Sequence, residues 1–143
     1  MKAEDLKRRT KQFALRVLKL VDALPNSVQG RAIGNQLVRA GTAVAANYRA
    51  ACRGRSKAEF IAKLGTVEEE ADESAFWMEL IIEAELLKAQ KVQPLLTEAI
   101  ELTKIMASSR ISASKALRQS RSTFDSRASK ANSNRQSALG NRQ

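Results

Sequence analysis

The residues best suited to chemistry lie between two apolar stretches, in the run Arg49-Ala50-Ala51-Cys52-Arg53-Gly54-Arg55-Ser56-Lys57. Three arginines and a lysine in nine positions can neutralise a polyanion such as a phosphate backbone. Cys52 sits among them, and neighbouring cations lower a thiol pKa. The chain has no histidine, so the thiol has no imidazole base, and Cys52 reads as a small residue at a helix end. The same absence removes Ser-His and Cys-His nucleophile pairs, histidine general bases and histidine metal ligands. A second cluster, Glu68, Glu69, Glu70, Asp72 and Glu73, offers carboxylates for a hard cation. Consecutive helical positions point in different directions, so these five do not converge on one ion. Neither an enzyme nor a metal or cofactor is expected.

The elements that must position these residues follow from the spacing of apolar side chains. Leu6, Phe13, Val17, Leu20, Val21 and Leu24 recur at helical intervals and predict a first helix over about 4–24. Pro25-Asn26-Ser27 ends it, and Ser27 is an N-cap for a second helix reaching about Ala51. There Ile33, Leu37, Ala40, Val44, Tyr48 and Ala51 form a seam close to a heptad. Gly34 and Gly41 lie beside it. Each costs roughly 1 kcal/mol in a helix interior, so they predict a second helix at short distance.

Ser56 followed by Glu59 is a capping box that opens a third helix, predicted from Lys57 to about Ala89. Phe60, Leu64, Val67, Ala71, Ser74, Met78 and Ile81 form one stripe of it. Trp77, Leu80, Ala84 and Leu87 form a second, which predicts contact on two sides, one of them a candidate subunit interface. A fourth helix is predicted near Val92, with Pro94 in its first turn and carrying Leu95, Leu96, Ala99, Ile100, Leu102, Thr103, Ile105 and Met106.

The division expected is a helical bundle over residues 1–118 and a disordered Ser/Arg-rich tail over 119–143. Residues 1–108 hold 17 basic and 14 acidic side chains, whereas 109–143 hold 8 and 1. Most of the net charge of +10 therefore lies on the tail and its approach. Such a tail is read equally as a nucleic-acid arm or as a solubilising terminus. No uncharged apolar run long enough to span a membrane occurs, nor an apolar block near the start of the kind a secretory signal needs. With a single cysteine, the expected compartment is the cytoplasm.

The order Gln36-Leu37-x-Arg39-Ala40, Thr42, Val44, Asn47, then Gly54-x-Ser56-x-x-Glu59-Phe60 and later Glu69-x-x-x-Glu73, resembles the four-helix-bundle proteins known as 23S rRNA intervening-sequence proteins. The resemblance covers roughly residues 5–107. It implies an all-α, up-down-up-down bundle assembling as a ring-shaped homopentamer. It is related to accessory proteins of diversity-generating retroelements, whose basic pentamers bind RNA or DNA and a reverse transcriptase. Where members commonly carry Glu-Gly shortly after the asparagine, this chain has Arg49-Ala50-Ala51, which moves the turn toward polyanion binding.

Arg39, Arg49, Arg53, Arg55, Lys57 and Lys63 are the expected nucleic-acid contacts, engaging backbone phosphates, because no aromatic residue interleaves them. Glu69 and Glu73 are expected to pair with arginines such as Arg39. Asn47 is expected to fix helix register, and Trp77 to pack or form an interface. The alternative is a structural or protein-interaction scaffold in which the basic residues serve solubility and subunit contacts.

Overall fold

The computed structural model describes residues 1–140 and contains four helices: α1 (Ala3–Asp22), α2 (Val28–Cys52), α3 (Lys57–Glu83) and α4 (Ala89–Gly140). Each packs against its sequence neighbour, and α1 meets α4 to close the layer, so consecutive helices run up and down. The apolar stripes converge on one core. Its fully buried large side chains include Phe13, Val17, Leu37, Val44, Leu64, Val67, Met78, Ile81, Leu102 and Met106. Every seam position expected in α2 is buried except Ile33, which is half-buried, and the first stripe of α3 is buried from Leu64 through Ile81. No described helix is long and apolar enough to cross a membrane.

Local chemistry accounts for most boundaries. The Ser27 hydroxyl accepts from the Gly30 amide at 3.1 Å, and the Ser56 hydroxyl from the Glu59 amide at 3.1 Å, as N-caps do. Glu59 completes the second cap differently from a capping box: its carboxylate accepts from the Arg55 amide at 3.0 Å, one residue before the cap. Gly34 and Gly41 face α1. A Cβ on Gly41 would lie 2.8 Å from both methyls of Val17, and one on Gly34 would lie 3.1 Å from Val21 Cγ1. The close approach inferred from the two glycines is therefore the contact between α1 and α2.

Two boundaries differ from expectation. The third helix stops at Glu83 rather than near Ala89, and Glu85 takes a left-handed backbone with φ 55°. Trp77, Leu80, Ala84 and Leu87 therefore do not form one helical stripe. The first two are half-buried on α3, while Ala84 and Leu87 belong to the reversal. The fourth helix begins at Ala89, which places Pro94 sixth in the helix instead of in the first turn. There its missing N–H leaves the Gln90 carbonyl without an i+4 partner.

The third difference is larger. Of the tail 119–143 expected to be disordered, residues 119–140 continue α4 as one helix through Gly140, and 141–143 lie outside the described residues. No glycine or proline interrupts the chain from Leu95 to Leu139. Composition asks whether a segment can order itself alone, and this one cannot bury enough to do so. It does not start alone, however. The packed part of α4 supplies the nucleus, and only propagation remains, to which Ala, Arg, Lys and Gln are well suited.

Leu117 is the last half-buried position, and every described residue from Arg118 onward is exposed. Removing residues 119–143 is therefore expected to leave the thermal midpoint of the bundle within about 1–2 °C of the full chain. A calorimetric scan of the two proteins checks this, and a drop of several degrees would show that the extension packs on the bundle.

Candidate nucleic-acid interface

The α2–α3 turn is built from two helix ends. Arg53 is the C-cap of α2, and its amide bonds back to the Ala50 carbonyl at 3.1 Å. Arg49 lies one turn earlier, and Lys57 opens α3. Because Ser56 and Glu59 hold the backbone, the side chains of Arg53, Arg55 and Lys57 are left to solvent. None of Arg49, Arg53, Arg55, Lys57 and Lys63 is within ion-pair distance of a described carboxylate. A shallow hollow at this end is lined by Ala3, Cys52, Arg55, Lys57 and Phe60, which brings the start of α1 beside the turn.

The fourth helix adds charge to the same end. Arg110 donates to Glu68 at 2.7 Å, which fixes the antiparallel register of α3 and α4. Eleven residues of travel along each helix carry the level from Glu68 to Lys57 and from Arg110 to Arg121. Lys115, Arg118 and Arg121 thus pass beside the turn as α4 leaves the bundle. The 23 described residues from Arg118 to Gly140 project about 34 Å at the helical rise.

Arg39 is not part of this group. It lies 14 residues before Arg53 on α2, about 21 Å along the axis. Its guanidinium donates to Glu73 at 2.6 Å and to Gln36 at 3.1 Å, so it is committed to the α2–α3 seam. Lys63 stands about 9 Å along α3 from Lys57 and is half-buried.

The acidic cluster on α3 is mostly consumed by inter-helix pairs. Glu73 pairs with Arg39 and Glu68 with Arg110, and Glu70 stands 4.0 Å from Arg39. Glu69, expected to pair with an arginine, is exposed and has no partner among the described residues. Among those residues no three Asp, Glu or Cys side chains gather as metal ligands would. Trp77 donates to Glu73 Oε1 at 3.3 Å and meets the exposed Phe76 edge to face, with ring centroids 5.0 Å apart. Asn47 is half-buried and donates to the Ala43 carbonyl at 2.9 Å. That bond stays within α2 and does not bridge helices.

A further ion pair has no local signature in the sequence. Arg9 donates to both carboxylate oxygens of Glu98, at 2.9 and 2.7 Å, and lies 3.1 Å from Glu101. This bidentate pair ties α1 to α4 and raises the Arg9 pKa, chiefly through the bond to Glu98. The one available hint was position: Arg9 lies between Leu6 and Phe13, at the edge of the buried stripe of α1.

Glu70 carries the strain of the acidic cluster. Its Oε2 is buried without a partner, and burial followed by repulsion from Glu73 pushes its carboxyl above the usual range, against the pull of Arg39. A raised folded-state pKa favours the protonated form in the fold. The contribution is therefore fully present below the ordinary glutamate pKa of about 4.3 and is lost as pH rises through the folded value. Glu70→Gln supplies a neutral amide that can donate to Glu73, and is expected to stabilise the protein at neutral pH by about 1 kcal/mol. Urea unfolding should show that gain shrinking toward acid pH. A less stable variant at neutral pH would mean that the Arg39 contact dominates.

Fold and site together define a helical bundle of mixed charge along its length, with unpaired cations gathered at one end and extended along a projecting helix. The family model described as 23S rRNA-intervening sequence protein matches residues 3–108, and the chain belongs to that family. It is similar to the solved structure of a protein of unknown function from the S23 ribosomal protein family of Bacteroides thetaiotaomicron VPI-5482. The two are 31% identical with a TM-score of 0.68, over 72% of this chain and 95% of that one. No curated protein matches. The family match ends at residue 108, ten residues before the exposed part of α4 begins at Arg118, so the projecting helix lies outside it.

Proposed function

We propose that this chain is a non-enzymatic nucleic-acid-binding protein whose contacts are made from the basic end of the bundle to backbone phosphates. One observation carries this reading. Arg49, Arg53, Arg55 and Lys57 are unpaired, whereas Glu68, Glu70 and Glu73 of the acidic cluster face Arg110 or Arg39, and Lys115, Arg118 and Arg121 join the unpaired cations toward the same end. Proteins use surplus cations of this kind to displace counterions from RNA or DNA. Arg39 is dropped from the contact set because Glu73 already holds it. The test is binding of labelled RNA and DNA by the full chain and by its Arg53→Glu, Arg55→Glu form at low salt.

Self-association belongs to the same reading. Leu15, Leu18, Phe76 and Ile100 are 57, 41, 50 and 40% exposed on the outer faces of α1, α3 and α4. Large exposed apolar groups of this kind favour contact between subunits. A ring of subunits would repeat the basic end and multiply weak phosphate contacts. The same apolar side chains are what favours the second reading, a scaffold that meets a partner protein, of which a reverse transcriptase is one candidate.

A further inference from the structure

Where α4 leaves the bundle and beyond, Lys115, Arg118, Arg121, Phe124, Arg127 and Lys130 occupy six successive positions three residues apart. On a helix such positions form one continuous ridge inclined to the axis. Each step advances about 4.5 Å and turns about 60° backward, so the ridge almost encircles the helix between Lys115 and Lys130. Only Asp125 opposes these cations among the described residues beyond Arg110, and none of the five is in an ion pair. At the centre of the row stands Phe124, 72% exposed and outside the core. A ring left in water between two arginines has no packing role within the chain.

Resting on the nucleic-acid reading above, we infer that this ridge holds a single-stranded nucleic acid, with the five cations on successive phosphates and Phe124 stacked on an unpaired base. Two physical arguments select a single strand over a duplex. A ridge that winds around the helix suits a flexible backbone, whereas a duplex is stiff over this length and meets only one face. A stacking ring also needs an accessible base face, which paired and stacked bases do not present. Arg121, the third position of the ridge, is level with Lys57 by the Arg110–Glu68 register, so a strand on the ridge continues onto the turn without a break in positive potential. Binding of this kind is tolerant of sequence, because every base has a π-face.

The experiment measures binding of a labelled single-stranded oligoadenylate and of a mixed-sequence DNA duplex to the full chain at low salt. Phe124→Ala is expected to weaken the single strand by roughly 5- to 100-fold and the duplex by less than about twofold. Phe124→Trp should restore single-strand binding. Since Phe124 is exposed, neither change disturbs the fold. Unchanged single-strand affinity in Phe124→Ala, or equal losses on both ligands, would overturn the stacking ridge and leave the basic end as the binding site. Failure of the unaltered chain to bind either ligand would overturn both readings.

Discussion

Arg53→Glu combined with Arg55→Glu lowers affinity for RNA by roughly 100-fold at low salt, because two phosphate contacts become two repulsions. Stability should be nearly unchanged. Both side chains are exposed and unpaired, and the backbone bonds that hold the turn come from Ser56 and Glu59 instead. This separates binding from folding in one variant. Arg39→Glu is the matched contrast: it breaks the 2.6 Å pair with Glu73 and crowds a carboxylate against Glu70 and Glu73. It should reduce stability while affecting nucleic-acid affinity much less. A filter-binding assay beside urea unfolding reads both, and equal loss of affinity in the two variants would argue for a general charge effect.

Gly41→Leu is expected to destabilise the bundle by about 3 kcal/mol or more, by overpacking a closed contact. Even the first added carbon would lie 2.8 Å from two methyls of Val17, whose side chain is fully buried and β-branched and has no room to turn. The gain of roughly 1 kcal/mol in helix propensity on replacing glycine does not offset this. Gly65 gives the opposite sign. A Cβ there would meet only Arg110 Cδ, at an ordinary 3.6 Å, so Gly65→Ala should stabilise α3 by about 0.5–1 kcal/mol. Urea midpoints at one protein concentration check the pair. Wild-type stability in Gly41→Leu would show that this glycine does not set the spacing of α1 and α2.

The fold was legible wherever burial imposed a helical period. Leu37, Ala40, Val44, Tyr48 and Ala51 could be read as one face because every third or fourth side chain had to enter the core. The turn was legible because Ser56 and Glu59 are chemically marked. The end of α3 was not. Ala84 and Leu87 continue the apolar period beyond Glu83, and no glycine or proline announces the left-handed Glu85.

Long-range charge pairs were legible only in part. Arg39 with Glu73 could be anticipated, but Arg9 with Glu98 joins residues 89 positions apart, and only the packing of α1 on α4 selects that pair. The extension of α4 is not legible for a different reason: its composition lacks apolar groups, whereas its conformation is inherited from the packed helix before it. That inheritance is also what places Phe124 and the flanking cations on one row, a pattern that exists only on a helix.

The central claim is that the basic end neutralises phosphates, and the most direct test is the salt dependence of RNA binding by the unaltered chain. On a logarithmic plot the affinity should fall linearly with salt, with a slope of about −0.7 for each single-strand phosphate neutralised. The variant carrying Arg53→Glu and Arg55→Glu should show a shallower slope by at least about 1.4, the share of its two lost contacts. Absence of binding at low salt, or an affinity that does not change with salt, would contradict the account and leave the exposed apolar faces of a protein scaffold as the better explanation.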